Sequence, residues 1–170
     1  THAVTLQVEC LVGDIFNHPA QCILSPANSL LKYDGGIDAL IQQNITGGVE
    51  KQLRKRAQTE FGCIVPVGSA IHSTTQDKRW PNIIAPPTMM IPEDVSNTRN
   101  AFWAFRAAIL KAKENQISEI VSPCFCSGWG RMPPRKMAVQ LKLALEFAMN
   151  PRLPSEALFH TMANRMLTQV

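Results

Sequence analysis

The chain of 170 residues is long enough to bury a sizeable hydrophobic core in one compact domain. Hydrophobic residues make up 45% of the chain and charged residues 18%, which is the ordinary composition of a soluble globular protein. The formal charge of +4 favours an anionic ligand only mildly. Because no run of lysine and arginine is interleaved with aromatic residues, the sequence gives no distinct support for a nucleic-acid partner.

Cysteine and histidine usage argues against a zinc site. The five cysteines contain no CxxC pair, and the four histidines are scattered along the chain. The cysteine count is odd and three cysteines lie in apolar, strand-like runs, which indicates reduced intracellular thiols. No apolar run reaches the roughly 18 residues of a membrane span, and no signal peptide is visible. We therefore expect a cytoplasmic monomer without membrane contact, with the nucleus or delivery into a host cell as alternative locations.

The first half of the chain predicts alternating strands and helices. Residues 4–12 alternate loosely between apolar and polar side chains and predict a first strand. Residues 20–25 are mostly apolar, as in a short strand buried on both faces of a parallel sheet. A helix is expected over residues 36–44, and a charged helix after it to about residue 60. Further strands are expected at residues 63–67, 70–73 and 82–85, with Gly68 as a bend between the first two.

The second half predicts three helices and one strand. Residues 97–113 form a helix with one apolar face, and residues 119–122 form a strand. The pair Pro133-Pro134 suits the first turn of a helix that runs to Met149. A last helix is expected over about 155–167, with Ser155 as its N-terminal cap.

The alternation of elements predicts an α/β sandwich with a largely parallel central sheet. No internal repeat or second domain is visible, so residues 1–170 are expected to form one domain, with the last helix packed on it. In such folds ligands bind beyond the carboxyl ends of the strands. The loops 25–38 and 123–133 each follow a short buried strand, so we expect both at the same edge of the sheet.

The second of these loops contains Ser127-Gly128-Trp129-Gly130. Two glycines permit positive φ angles and leave main-chain N–H groups free to converge on an anion, to which the N-terminus of the next helix adds its dipole. Ser127 offers a hydroxyl group and Arg131 a positive charge. The alternative is an ordinary turn between a strand and a helix.

The first loop combines Asn28, Gly35-Gly36 and Asp38 in one connection. The two polar residues could instead have purely structural roles: Asn28 could form an Asx turn, and Asp38 suits the first turn of a helix. Asp14 could accept from an exocyclic amine such as that of adenine, or cap the segment that follows it. Two glycine loops at one sheet edge, each beside a polar side chain, favour a shared ligand site.

These segments, in their order, resemble the macro domain, a family of readers and hydrolases of ADP-ribose. Gly13-Asp14-Ile15 is similar to the family's GDI, and Ser25-Pro26-Ala27-Asn28 to its NAAN. Gly35-Gly36-Ile37-Asp38 is similar to its GGVD, and residues 127–130 to its second phosphate loop. Residues 85–92 look like the APTMxxP element of a divergent branch, and the resemblance covers roughly residues 4–150.

The resemblance implies a three-layer α/β/α sandwich with a mostly parallel, mixed central sheet, and a role for each matched residue. Asp14 would hold the adenine amine beside the Ile15 backbone, and Asn28 would bind the distal ribose. Asp38, with Asn28 beside it, would be catalytic and orient or activate a water. The remaining ligand-binding positions it implies are Gly35, Gly36, Ile37, Ser127, Gly128, Trp129, Gly130 and Arg131.

Two functions are compatible with these residues, and a third is disfavoured. The first is hydrolysis of an ADP-ribose derivative without metal or cofactor, the substrate being ADP-ribosylated protein, acetylated ADP-ribose or ADP-ribose phosphate. The second is a non-catalytic reader of ADP-ribose. A nicotinamide oxidoreductase is disfavoured because no GxGxxG follows the first strand. Gly130 stands where the family often has an aromatic residue, and Lys32-Tyr33-Asp34 replace small residues, which bears on substrate preference.

Overall fold

The computed structural model describes residues 6–150 and 152–168. None of the helices in these ranges is long and apolar enough to cross a membrane. The strands are β1 (Cys22–Leu24), β2 (Ala27–Asn28), β3 (Ile71–Thr74), β4 (Asn82–Ala85), β5 (Pro87–Met89) and β6 (Ile120–Val121). The α-helices are α1 (Gly36–Asn44), α2 (Glu50–Phe61), α3 (Asn100–Glu114), α4 (Pro134–Met149) and α5 (Glu156–Arg165), and a 3-10 turn covers Ile15–Asn17.

The central sheet has the strand order β3-β4-β1-β6. Strand β1 is parallel to both neighbours, with Ile23 opposite Ile83 of β4 and Val121 of β6, while β3 is antiparallel to β4. Beyond Pro26 and Pro86, β2 and β5 form a second parallel pair that extends β1 and β4. Proline has no N–H group for the ladder, which accounts for the interruption.

Both faces of the sheet are covered, as the alternation of side chains along β1 requires. Ile23 packs in one core cluster with Ile41 of α1 and Leu53 of α2. Its neighbours Cys22 and Leu24 belong to a second cluster, formed with the alanines of α3 and with Met137 of α4. The expected three-layer α/β/α sandwich with a mixed, mostly parallel sheet is confirmed.

One buried amide side chain, that of Gln140 in α4, links the end of the last helix to the start of α3 by hydrogen bonds. Gln140 Oε1 accepts from the Phe102 N–H at 3.1 Å, and Gln140 Nε2 donates to the carbonyls of Thr98 at 2.8 Å and Met166 at 2.9 Å. The side chain of Met166 is buried against Phe102 and Leu143. This polar group is therefore fully hydrogen-bonded although it is excluded from solvent.

Two expected strands are wrong. Residues 6–12 form no strand, and the large apolar side chains among them are exposed because no described sheet face covers them; residues 4–5 lie outside the described ranges. Residues 63–67 are not a strand either, since Cys63 has φ +82° and Val65 makes a single main-chain bond to the Ser29 carbonyl at 3.0 Å. In both cases the apolar pattern was present without a partner strand to pair with.

Candidate functional site

A cavity of about 350 Å³ lies beyond the carboxyl end of β1, where β2 and β6 lead into two loops. The first loop connects β2 to α1, and the second connects β6 to α4. Both were expected at one edge of the sheet, and they do line this one cavity. Of the expected site residues, the cavity is lined by Asn28, Gly35, Gly36, Ile37, Asp38, Ser127, Gly128, Trp129 and Gly130.

Asp38 is the buried carboxyl group of the cavity. It lies in the first turn of α1, and the residue is only 9% exposed. Burial raises the pKa of Asp38 from its ordinary 3.8 to about 7; a hydrogen bond from its own N–H opposes this shift, and the charge of Asp34 adds to it. A carboxyl group with this pKa can exchange protons near neutral pH, which suits a general acid or base.

Two runs of unpaired main-chain donors line the same cavity. Within the described ranges, the N–H groups of residues 35–37 donate to no protein acceptor, because they precede or begin α1 and no side chain caps that helix. The N–H groups of residues 127–130 are likewise without a protein acceptor among the described residues. Free N–H groups at a helix N-terminus and in a tight loop favour an anion.

The positive φ angles of the second loop are not at the glycines, where they were expected. Gly128 and Gly130 do not have positive φ angles; Cys126 (φ +59°) and Arg131 (φ +54°) do. Gly130 is required by close packing instead, since a Cβ there would lie 2.6 Å from the Cys126 carbonyl oxygen. An aromatic residue therefore cannot replace Gly130 in this loop, and the aromatic side chain beside the cavity is that of Trp129, which is 67% exposed.

Two glycines of the cavity are required neither by packing nor by conformation. A Cβ on Gly35 or Gly128 would meet nothing within 4 Å, and neither residue has a positive φ. Gly36 also has open space, but its φ of +62° favours glycine. The free space in front of Gly35 and Gly128 allows a bound molecule to approach the main chain closely.

The side chain of Asn28 is engaged within its own loop. Its Oδ1 accepts from the N–H groups of Leu30 at 3.0 Å and Lys32 at 3.3 Å, and its Nδ2 donates to the Lys32 carbonyl at 3.3 Å. The Asx-turn alternative thus describes its geometry here. One Nδ2 hydrogen is left for a ligand, so the ribose-binding and catalytic roles of Asn28 stay predictions.

Three expected ligand residues do not line the cavity: Asp14, Ile15 and Arg131. Asp14 caps the 3-10 turn, with Oδ1 accepting from the Phe16 N–H at 3.0 Å. Ile15 packs on the core beneath it. The proposed adenine contact of Asp14 and Ile15 and the phosphate contact of Arg131 stay predictions.

Several lining residues were not among the expected ones. They lie in β2 and β5 or in the segments that follow β1, β2, β5 and β6, and that position near the carboxyl ends of parallel strands was the signal available in the sequence. They are Pro26, Ala27, Asp34, Thr88, Met89, Pro92, Pro123, Cys124 and Cys126. Burial raises the pKa of the Cys126 thiol to about 12, so that this thiol is uncharged at neutral pH. Across the described residues, no cluster of three or more His, Cys, Asp or Glu side chains is placed to hold a metal ion.

Comparison with known proteins gives consistent matches. The chain is 27% identical over 133 residues to an uncharacterized protein of Aeropyrum pernix, covering 78% of this chain and 67% of that protein. The macrodomain of Mycobacterium tuberculosis DarG superposes with a TM-score of 0.71 at 16% identity, covering 84% of this chain and 91% of that one. The Oceanobacillus iheyensis macrodomain with ADP gives a TM-score of 0.68 at 19% identity, covering 91% and 87%; a variant of it with ADPR gives 0.68 at 18%, covering 91% and 89%.

Because the sequence identity between this chain and these solved structures is low, their similarity shows the fold only. The family is established by the sequence itself, because the model of the Macro domain matches residues 24–141. That range begins in β1 and ends inside α4, so it contains both loops of the cavity. The chain belongs to the macro domain family.

Proposed function

We propose that the cavity binds ADP-ribose and that the protein hydrolyses an ADP-ribose derivative with Asp38 as general base. The observation that carries the proposal is that a buried carboxyl group and two runs of free N–H groups line one cavity. Structures of a relative with ADP and with ADPR support this class of ligand.

The diphosphate would be held by the main chain. Residues 35–37 and 127–130 supply N–H donors from the two loops, and open space at Gly35 and Gly128 lets the phosphates approach them. Hydrogen bonds from N–H groups to an anion are stronger than those between neutral groups. Because these donors are fixed by the fold before the ligand arrives, little reorganisation accompanies binding.

Asp38 would then act on a water molecule next to the distal ribose. In the ionised form it accepts a proton from that water, whose oxygen bonds to the anomeric carbon or to the acyl carbon of the linkage. The bond to the leaving oxygen breaks, and the proton passes from Asp38 to that oxygen. One water is consumed and the scheme uses no cofactor.

The test is calorimetric titration of ADP-ribose into the wild type and Asp38→Asn, an isosteric change that removes only the base. The same samples are incubated with acetylated ADP-ribose and with mono-ADP-ribosylated protein. We expect both proteins to bind ADP-ribose and only the wild type to release it from a conjugate. Binding without release by either protein would identify a reader. Absence of binding by the wild type would overturn the proposal.

A further inference from the structure

The charge of the cavity is unusual for a site that is proposed to bind a diphosphate. Among its lining residues, all of them in the described part of the chain, the charged side chains are Asp34 and Asp38, and no lysine or arginine takes part. The free N–H groups can compensate the diphosphate, but they do not neutralise the two carboxylates. The end of the cavity next to Asp38 is therefore negative whenever both groups are ionised.

Asp34 is fixed beside Asp38 by the chain itself. It lies two residues before the start of α1, lines the cavity and is exposed at its mouth. Within residues 6–150 and 152–168 it takes part in no ion pair, whereas Asp77 is paired with Arg79. No salt bridge among the described residues thus neutralises the Asp34 charge.

The other titratable groups around Asp38 do not add positive charge. Tyr33 is buried beside it, and desolvation raises the pKa of this phenol, which is neutral at physiological pH. The Cys126 thiol across the cavity is neutral for the same reason, and Cys124 is a neighbouring thiol at the rim. Glu50 of α2 acts on Tyr33 and is itself acidic. The charged side chain that acts on Asp38 is therefore Asp34, and the positive contribution at this end of the cavity comes from main-chain N–H groups.

We infer that Asp34 selects conjugates whose linkage to the distal ribose is uncharged, such as an acyl ester, and disfavours phosphate-linked ones. This inference rests on the proposed function. A phosphate on the anomeric carbon brings negative charge next to two carboxylates, and like charges at short range repel strongly in a partly buried site. The negative charge of the phosphate would also favour the protonated form of Asp38, which cannot act as a base. An acyl ester is neutral and has neither effect.

The experiment compares the affinities of two ligands that differ only in this group, ADP-ribose and ADP-ribose 1″-phosphate, at pH 8. Calorimetry is performed on the wild type, on Asp34→Asn and on Glu93→Gln, the last removing an exposed acid that does not line the cavity. We expect the wild type and Glu93→Gln to bind ADP-ribose about tenfold more tightly than the phosphate. In Asp34→Asn the preference should fall to about threefold, with the affinity for ADP-ribose itself nearly unchanged.

An equal preference in Asp34→Asn and the wild type would overturn the inference while leaving ADP-ribose binding intact. If the wild type binds neither ligand, the proposed function fails and the inference with it. Because the readout is a ratio of affinities, it tests Asp34 even if the protein is a reader. For a hydrolase, acetylated ADP-ribose and a glutamyl-linked ADP-ribosyl peptide distinguish the two sources of an acyl linkage. Turnover of either should exceed that of the 1″-phosphate, and faster turnover of the phosphate would contradict the inference.

Discussion

The N–H group of Val95 donates to the carbonyl of Gly130 at 3.0 Å, and the Val95 side chain packs against the same glycine. This contact joins the segment after β5 to the second loop of the cavity. Lys136 of α4 strengthens it, because its buried Nζ donates to the Ser96 carbonyl at 2.9 Å. The second loop is therefore held from outside by its neighbours, while its N–H groups stay free.

Gly130→Ala should destabilise the protein. A Cβ at this position lies 2.6 Å from the Cys126 carbonyl oxygen and 2.7 Å from Val95 Cγ2, so the loop has to move. We expect a loss of about 1–3 kcal/mol in the free energy of unfolding, measured by urea denaturation. Gly128→Ala is the matched control, since its Cβ meets nothing within 4 Å. Equal losses in the two variants would show that crowding at Gly130 is not the cause.

Gly128→Val should weaken ADP-ribose binding without destabilising the protein. Gly128 lines the cavity and a Cβ there would meet no protein atom within 4 Å, so we expect the unfolding midpoint to change little. The branched side chain blocks the approach of a diphosphate to the N–H groups of the loop, and ADP-ribose affinity should fall at least about tenfold. Calorimetry measures this, and Gly128→Ala, whose smaller side chain projects less far from the loop, should lose less affinity. Wild-type affinity in Gly128→Val would place the diphosphate elsewhere.

The sequence predicted the parts of the fold that depend on local patterns. The helices α1 to α5 and strands β1, β3, β4 and β6 lie close to their expected positions, since apolar periodicity and proline placement act within a few residues. The strand expected at residues 4–12 is not formed over the described residues 6–12, because pairing depends on a distant partner, which one segment cannot reveal. In the site, Asp38 was found from its motif. The sequence did not predict the packing that requires a glycine at position 130, since this packing depends on Val95, 35 positions away in sequence.

Asp14→Asn separates the two roles of Asp14. Asparagine keeps an oxygen that can accept from the Phe16 N–H, so the cap of the 3-10 turn is retained. It replaces the other carboxylate oxygen by an NH₂ group, which cannot accept from the adenine amine. We expect unchanged thermal stability and roughly tenfold weaker binding of ADP-ribose, by calorimetry. Should affinity stay at the wild-type value, Asp14 serves only as a cap.

The hydrolysis rate should rise with pH through about 7, because Asp38 accepts a proton only in its ionised form and its pKa is raised to about 7. Removing the neighbouring charge in Asp34→Asn lowers that pKa, so its profile should move to lower pH. Initial rates on acetylated ADP-ribose between pH 5 and 9 measure both. A rate that falls across this range would exclude Asp38 as the base.

The free energy of unfolding should also depend on pH, because the pKa of Asp38 is higher in the folded protein than in the unfolded chain. The folded state binds the Asp38 proton more tightly than the unfolded chain, where its pKa is near 3.8. The stability due to this group is therefore greatest at acid pH and is lost as the pH rises towards about 7. Asp38→Asn has no charge to bury, so it should be more stable than the wild type by about 1–4 kcal/mol at pH 8. Near pH 4.5 the difference should be much smaller. Urea denaturation of both proteins at the two pH values measures it, with Glu93→Gln, which removes an exposed acid outside the cavity lining, as control. A difference that does not depend on pH would mean that Asp38 is not protonated in the folded protein at pH 4.5.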